Sequence, residues 1–242
     1  MDVQYTFKRY EKKYILSHEQ YQYLYKKLQE YMEPDLYGRY TICNIYFDTD
    51  DFALIRKSIE KPAYKEKFRM RSYGVVTREA DVFAEIKKKF KGVVYKRRVD
   101  THWDSFLEFI KKGGDTQEPV SEDVHSATEM REFIRRYDIK PKVFLAYDRE
   151  AFVGIEDSEI RLTFDKNIRW RDYDLNLYTD DSGMPVQPGE NSVIMEIKVP
   201  YAIPLWLTKI LSENQLYPGS FSKYGTCYTN FLANKIFEER EE

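Results

Sequence analysis

Lys65, Lys67, Arg69 and Arg71 alternate through the run YKEKFRMRSY at 64–73. Alternation at period two puts these four cations on one face of a strand and Phe68 and Met70 on the other. The same pattern recurs. Glu85 and Lys87 oppose Ala84 and Ile86, while Val94, Lys96 and Arg98 oppose Val93 and Tyr95. Arg161, Thr163 and Asp165 oppose Ile160, Leu162 and Phe164, and Glu196 and Lys198 oppose Met195, Ile197 and Val199. Faces of this kind suit phosphate oxygens, because Arg matches them bidentately and Lys supplies a point charge. The few carboxylates on the same faces suit a divalent metal, which takes oxygen ligands and bridges phosphates. Two arrangements give the pattern. One is an antiparallel sheet with its charges in water. The other is a closed sheet whose polar face becomes the lumen, where cations need an anion for a partner.

The elements that must position these side chains follow from hydrophobic period. Strands are predicted at Tyr5–Leu16, Tyr40–Phe47, Tyr64–Tyr73, Val82–Lys89, Val93–Asp100, Lys142–Tyr147, Arg161–Trp170 and Ser192–Val199. A helix follows Ser17, which forms a capping box with Gln20, and its stripe of Tyr21, Tyr25 and Leu28 reads as core packing. Further helices are predicted at Trp103–Lys111, Ser126–Tyr137, Pro204–Ser212 and Ser222–Glu238. Gly, Pro and Asp mark loops at Lys112–Asp123 and Thr179–Asn191, neither of which reads as a boundary between domains. Long strands without regular βαβ alternation predict an α+β fold, an antiparallel β-barrel with helices packed around the outside, as a single domain over 1–242.

Composition narrows the function. The 39 basic and 41 acidic residues give a net charge of −2, which argues against a general nucleic-acid or membrane-surface binder. No apolar run approaches the roughly 20 residues of a membrane helix, and the start does not read as a signal peptide. A cytoplasmic location is expected, with any membrane link made through a partner protein. Cys43 and Cys227 read as buried free thiols. His18, His102 and His125 show no metal-ligand spacing, and no Gly-rich P-loop is present.

Taken together in order, the motifs resemble the VTC domain, the polyphosphate polymerase domain of vacuolar transporter chaperone proteins, within the CYTH-like triphosphate tunnel metalloenzymes. Arg9-Tyr10-Glu11-Lys12-Lys13-Tyr14 resembles the opening strand, where ExExK is usual; Glu11 and Lys13 match, and Arg9 replaces the first Glu. Phe68 to Gly74 resembles RxRxYG. Glu85-Ile86-Lys87 resembles the next strand, and Lys96 matches a further lysine. Tyr147 to Phe152 is similar to YxRxAF, Arg161 to Asp165 to RxTxD, and Met195 to Lys198 to the late E-x-K strand. Phe221-Ser222-Lys223-Tyr224 resembles the FSKY/F motif, which starts a helix-like segment.

The resemblance implies a barrel enclosing a triphosphate tunnel and transfer of the ATP γ-phosphoryl group to a growing polyphosphate chain. It implies Arg69, Arg71, Arg149 and Arg161 as catalytic phosphate contacts, with Lys13, Lys87, Lys96, Ser222 and Lys223 as further phosphate ligands. Glu196 and Glu11 are its metal candidates, for manganese or magnesium. Lys65, Lys88, Lys89, Lys91 and Arg97 are expected as surface charges. The expected partners are ATP and inorganic polyphosphate or triphosphate, without nucleic acid and with a membrane protein as a further possible partner. A triphosphatase of the same fold and a non-catalytic polyphosphate-binding module of a membrane complex are the competing readings. The replacement of the first Glu by Arg9 counts against the triphosphatase.

Overall fold

A computed structural model of the chain describes residues 10–91, 93–115, 123–186 and 192–234. In chain order the elements are β1 (Tyr10–Leu16), α1 (His18–Leu28), β2 (Met32–Asp48), α2 (Ala53–Ile59), β3 (Tyr64–Tyr73), β4 (Asp81–Phe90) and β5 (Val93–His102). Next come α3 (Trp103–Lys111), α4 (Val124–Arg136), β6 (Lys140–Gly154), β7 (Arg161–Arg171), the two-residue β8 (Met184–Pro185) and β9 (Val193–Val199). The chain then forms α5 (Leu205–Glu213), α6 (Lys223–Cys227) and a π-helical turn at Tyr228–Leu232. The strands hydrogen-bond in the order β1-β9-β7-β6-β2-β3-β4-β5, with β8 on β7. The expected α+β class with a large antiparallel sheet is the fold adopted. Among the described residues the strand path ends at β1 and β5.

The chain divides into two compact units. The first takes the described residues of Met1–Thr41, Tyr147–Ile168 and Gln187–Ser222; the second takes those of Ile42–Ala146, Arg169–Val186 and Lys223–Glu242.

In the first unit, antiparallel register places Tyr14, Met195 and Phe164 side by side across β1, β9 and β7. This apolar face packs with Leu24 and Leu28 of α1 and Leu207, Ile210 and Leu211 of α5 in one buried cluster. Ser17 starts α1 by accepting from Gln20 N while Gln20 returns its side chain to Ser17 N, the expected capping box. Tyr21 meets Phe164 edge to face, with ring centroids 4.9 Å apart. Full burial of such side chains stabilises by about 1.5–3 kcal/mol each.

In the second unit, Cys43, Ile45 and Phe47 of β2, Phe68 and Met70 of β3, Val82, Ala84 and Ile86 of β4 and Val99 of β5 form the apolar face. Trp103, Phe106 and Phe109 of α3 and Met130, Phe133 and Ile134 of α4 cover it. Phe68 stacks on Phe106 at 5.5 Å between centroids. Because this face is covered by helices, the alternate residues are left for the charged face.

Several predicted boundaries shift, each for a local reason. β2 starts at Met32, ahead of the predicted Tyr40, and passes through the run EPDLYGR. Asp35 accepts from Tyr37 N and Gly38 N, and Gly38 takes φ 59°, so the turn is absorbed as a local irregularity. The N-cap residue of α2, Phe52, offers no side-chain bond; Thr49 accepts from Ala53 N, and buried Asp48 accepts from Leu54 N and Ile55 N. β6 runs on to Gly154, well past the predicted end at Tyr147. α4 starts earlier than predicted because Asp123 caps it through His125 N and Ser126 N. The helix predicted from Ser222 to Glu238 begins at Lys223 as α6 and passes into the π-helical turn, while 235–238 lie outside the described residues, as does Arg9. Both cysteines are buried, and neither forms a disulfide.

Candidate functional site

The charged face of the second unit is organised by one carboxylate. Antiparallel register sets Arg69, Glu85 and Arg98 in a row across β3, β4 and β5, and Lys67, Lys87 and Lys96 in the next row. The Glu85 side chain is 2% exposed. Its Oε2 accepts from Arg69 Nε at 2.8 Å and Nη2 at 2.7 Å, with Arg71 Nε 3.9 Å away. Its Oε1 accepts from Arg98 Nη2 at 2.6 Å and Lys96 Nζ at 2.7 Å. Burial pushes the Glu85 carboxyl up, but Arg69, Arg71 and Lys96 outweigh it and hold the group below the usual carboxylate range. Lys96 is pushed down to about 8, first by burial and then by Arg98 and Arg69, against the pull of Glu85.

Side chains from neighbouring elements fix these arginines. Arg71 donates to Asn44 Oδ1 at 3.0 Å, and the Asn44 amide is oriented by its own donation to Leu145 O. Arg69 donates to the Tyr46 hydroxyl at 3.2 Å. The Tyr46 ring stacks on Tyr224 at 4.6 Å, and Tyr224 donates to Asp48 Oδ2 at 3.0 Å. Arg98 lies over the Phe83 ring at 4.4 Å. Asp48 thus ties the start of α6, where Lys223 sits, to the end of β2.

The first unit carries a second ionic face. Register places Glu11, Lys198 and Arg161 in one row across β1, β9 and β7, and Lys13, Glu196 and Thr163 in the next. Glu196 is nearly buried; Lys198 Nζ is 2.6 Å from its Oε1 and Lys13 Nζ 3.4 Å from its Oε2. Lys13 also stands 3.6 Å from Glu11 and donates to Phe221 O at 3.5 Å, while Gly219 N donates to the Lys13 carbonyl. Burial lowers the Lys13 pKa, but Glu196 and Glu11 outweigh it and the net direction is up. Burial raises Glu196, and Lys198 and Lys13 overcome it to hold the group below the usual range. Arg149 grips Asp165 with two bonds, Nε to Oδ1 at 2.6 Å and Nη2 to Oδ2 at 2.8 Å. Burial opposes its charge, yet Tyr147 and Asp165 keep the guanidinium well above its ordinary pKa.

Among the described residues no group of three or more His, Cys, Asp or Glu side chains is gathered for a metal. Glu11 and Glu196 are diagonal neighbours on one face and share Lys13. Two carboxylates with the remaining oxygens taken from phosphate and water is how magnesium is commonly held. The pair fits that mode, with Lys13 as the cation already between them.

The structure therefore brings Lys13, Glu11, Glu196, Arg149 and Arg161 to one face of the first unit, and Arg69, Arg71, Lys87 and Lys96 to one face of the second. Ser222 ends the last segment of the first unit, and Lys223 opens α6 in the second. Lys88 and Arg97 point away from the charged face and share Glu129 of α4, as their parity requires. Lys65 is half-buried and donates to Ser58 O. Sequence reasoning passed over Arg98, Asn44, Tyr46, Asp165 and Lys198 as site residues. Arg98, Asp165 and Lys198 had a signal, since each shares strand parity with a nominated residue. Asn44 and Tyr46 come from β2, whose register with β3 no local pattern reveals.

The fold belongs to a known class. The structure resembles a candidate adenylate cyclase from Bacillus halodurans at 16% identity and TM-score 0.51, covering 88% of this chain and 92% of that one. It also resembles a candidate adenylyl cyclase from Hippeastrum with a dominant triphosphatase activity, at 14% identity and TM-score 0.51, covering 90% of this chain and 94% of that one. No curated protein matches the sequence. The VTC domain model matches residues 8–232, nearly the whole chain, and the protein belongs to the VTC domain family. Among the described residues no helix is long and apolar enough to cross a membrane.

Proposed function

We propose that the chain is a metal-dependent polyphosphate polymerase that moves the ATP γ-phosphoryl group onto a growing polyphosphate chain, with 1–242 acting as a single domain. The observation that carries the reading is the register of β3, β4 and β5, which stacks Lys67, Lys87 and Lys96 directly opposite one another beside the row organised by Glu85. Like charges directly opposite are unfavourable in a sheet. A polyanion lying across them turns that repulsion into attraction, and VTC family membership points to the same ligand.

Phosphoryl transfer asks a protein mainly for positioning and charge stabilisation. The bond from the γ-phosphorus to the ADP oxygen breaks, a bond to a terminal oxygen of the acceptor phosphate forms, and ADP leaves. The acceptor is already ionised at neutral pH, so no side-chain nucleophile is required. Arg69, Arg71, Arg149 and Arg161 are assigned to neutralise charge on the phosphoryl groups, and Lys13, Lys87, Lys96, Ser222 and Lys223 to hold the remaining phosphates. Manganese or magnesium at Glu196 and Glu11 would neutralise phosphate charge and polarise a phosphoryl oxygen. A cytoplasmic site of action and a membrane-protein partner remain part of the same proposal.

Product analysis tests it. Purified protein given ATP with manganese or magnesium should form chains longer than triphosphate together with ADP, and Glu196→Gln should abolish growth while tripolyphosphate still binds. Release of phosphate from tripolyphosphate without chain growth would assign a triphosphatase instead. Tight polyphosphate binding without turnover would assign a binding module.

A further inference from the structure

Thr163 occupies an unusual position for a hydroxyl. It stands directly opposite Glu196 in the β7–β9 register, with Arg161 and Asp165 two residues away on the same face of β7. Thr163 is half-buried, and its Oγ1, turned in from the surface, has no hydrogen-bond partner among the described residues. The neighbouring carboxylates are already engaged, Glu196 by Lys198 and Lys13 and Asp165 by Arg149. Trp170 Nε1 and Arg171 Nε are also unpaired and enclosed. However, Trp170 stacks on Phe231, and the other nitrogens of Arg171 bond Asp180 and backbone carbonyls.

Buried polar groups are almost always hydrogen-bonded, and an exception in an ionic site calls for an explanation. Strand propensity supplies none, because Val would serve the strand as well as Thr without burying a hydroxyl. We propose that Thr163 Oγ1 donates a hydrogen bond to a phosphoryl oxygen of the bound ligand, an inference that rests on the phosphate-binding reading above. A neutral donor suits this place. Lys13, Lys198, Arg149 and Arg161 already crowd the face with positive charge, and a hydroxyl adds a bond to the anion without adding repulsion. In the free protein the same hydroxyl is a cost, and the ligand removes it.

This predicts opposite effects on the free and bound protein. Thr163→Val keeps the branched shape and removes only the hydroxyl, whereas Thr163→Ser keeps the hydroxyl. Thermal unfolding without ligand should show Thr163→Val as stable as the wild type or more so. Titration with tripolyphosphate should show Thr163→Val binding about tenfold to a hundredfold more weakly, the range for losing a hydrogen bond to a charged oxygen. Thr163→Ser should regain most of that affinity. Parallel titrations with ATP and sulfate separate a nucleotide from an inorganic chain and both from a simple anion effect.

Wild-type-like tripolyphosphate affinity in Thr163→Val would overturn the assignment while leaving the phosphate reading intact. A Thr163→Val protein that is less stable without ligand, and is restored by Ser, would give the hydroxyl a structural bond and also overturn it. Failure of the wild type itself to bind tripolyphosphate above sulfate would instead remove the phosphate reading and this inference with it.

Discussion

Arg69 and Arg98 stand on strands separated by β4 and are tied together by the two oxygens of one carboxylate, Arg69 through Glu85 Oε2 at 2.7 Å and Arg98 through Oε1 at 2.6 Å. A nearly buried carboxylate thus sets the spacing of cations across three strands. The arrangement preorganises them before any anion arrives, which is what electrostatic stabilisation of a phosphoryl group requires.

Replacement of Glu85 by Gln keeps the shape and removes the charge. The cations around it then lose their common partner, and the free protein should lose on the order of 3–5 kcal/mol, the usual cost of breaking a buried pair. Tripolyphosphate should restore part of that loss, so the ligand-induced rise in Tm should be larger in Glu85→Gln than in the wild type. Denaturant unfolding with and without tripolyphosphate checks both halves. Unchanged stability of the free variant would mean the cations are satisfied by solvent.

Lys96 gives the site a pH dependence. Its pKa is pushed down to about 8, so it is charged at neutral pH and loses its charge as pH rises through that value. Phosphate binding prefers the charged form, so tripolyphosphate affinity should fall above pH 8. Lys96→Arg, which does not titrate in this range, should remove the break. The effect on folding has the opposite sign. Between about 8 and 10.5 the unfolded chain holds a proton that the folded chain does not, so this group adds stability as pH rises through that window. Calorimetric titrations and unfolding at a series of pH values would show the two trends crossing.

Much of the charged surface was legible from parity alone. Arg69, Arg71, Lys87 and Lys96 alternate with apolar neighbours, and the structure places them on one face because α3 and α4 cover the other. Arg161 and Glu196 were legible in the same way, with motif resemblance supplying their order, whereas Arg149 lies past the predicted strand end at Tyr147 and was nominated by motif resemblance alone. What stayed hidden depends on contacts distant in sequence. Asn44 reaches Arg71 across 27 positions and Tyr224 reaches Asp48 across 176. No local pattern carries such pairings, since the sheet register creates them. The short helix α2 was missed for a related reason, because two of its first amide groups are held by Asp48 at the end of a strand, with Thr49 of the turn holding only Ala53 N.

Arg149 can be separated into folding and binding roles. Arg149→Met strands the buried Asp165 charge and should cost about 3–5 kcal/mol, whereas Arg149→Met with Asp165→Leu should recover most of that stability. Tripolyphosphate affinity should stay low in both, because the phosphate contact is lost in both. Urea unfolding paired with calorimetry makes the comparison. Affinity that returns with stability would reduce Arg149 to a structural role.

The central claim is that the two charged strand faces are phosphate-binding surfaces, and a thermal-shift titration with tripolyphosphate, ATP and sulfate, with and without manganese, tests it most directly. A ligand at 100 times its Kd stabilises by about 2.7 kcal/mol, roughly 5–10 °C for a domain of this size. The account predicts a shift of that order for tripolyphosphate, well above sulfate and lost in Arg69→Ala. Equal, small shifts for all three anions, unchanged in Arg69→Ala, would show that the charges simply face water and would contradict it.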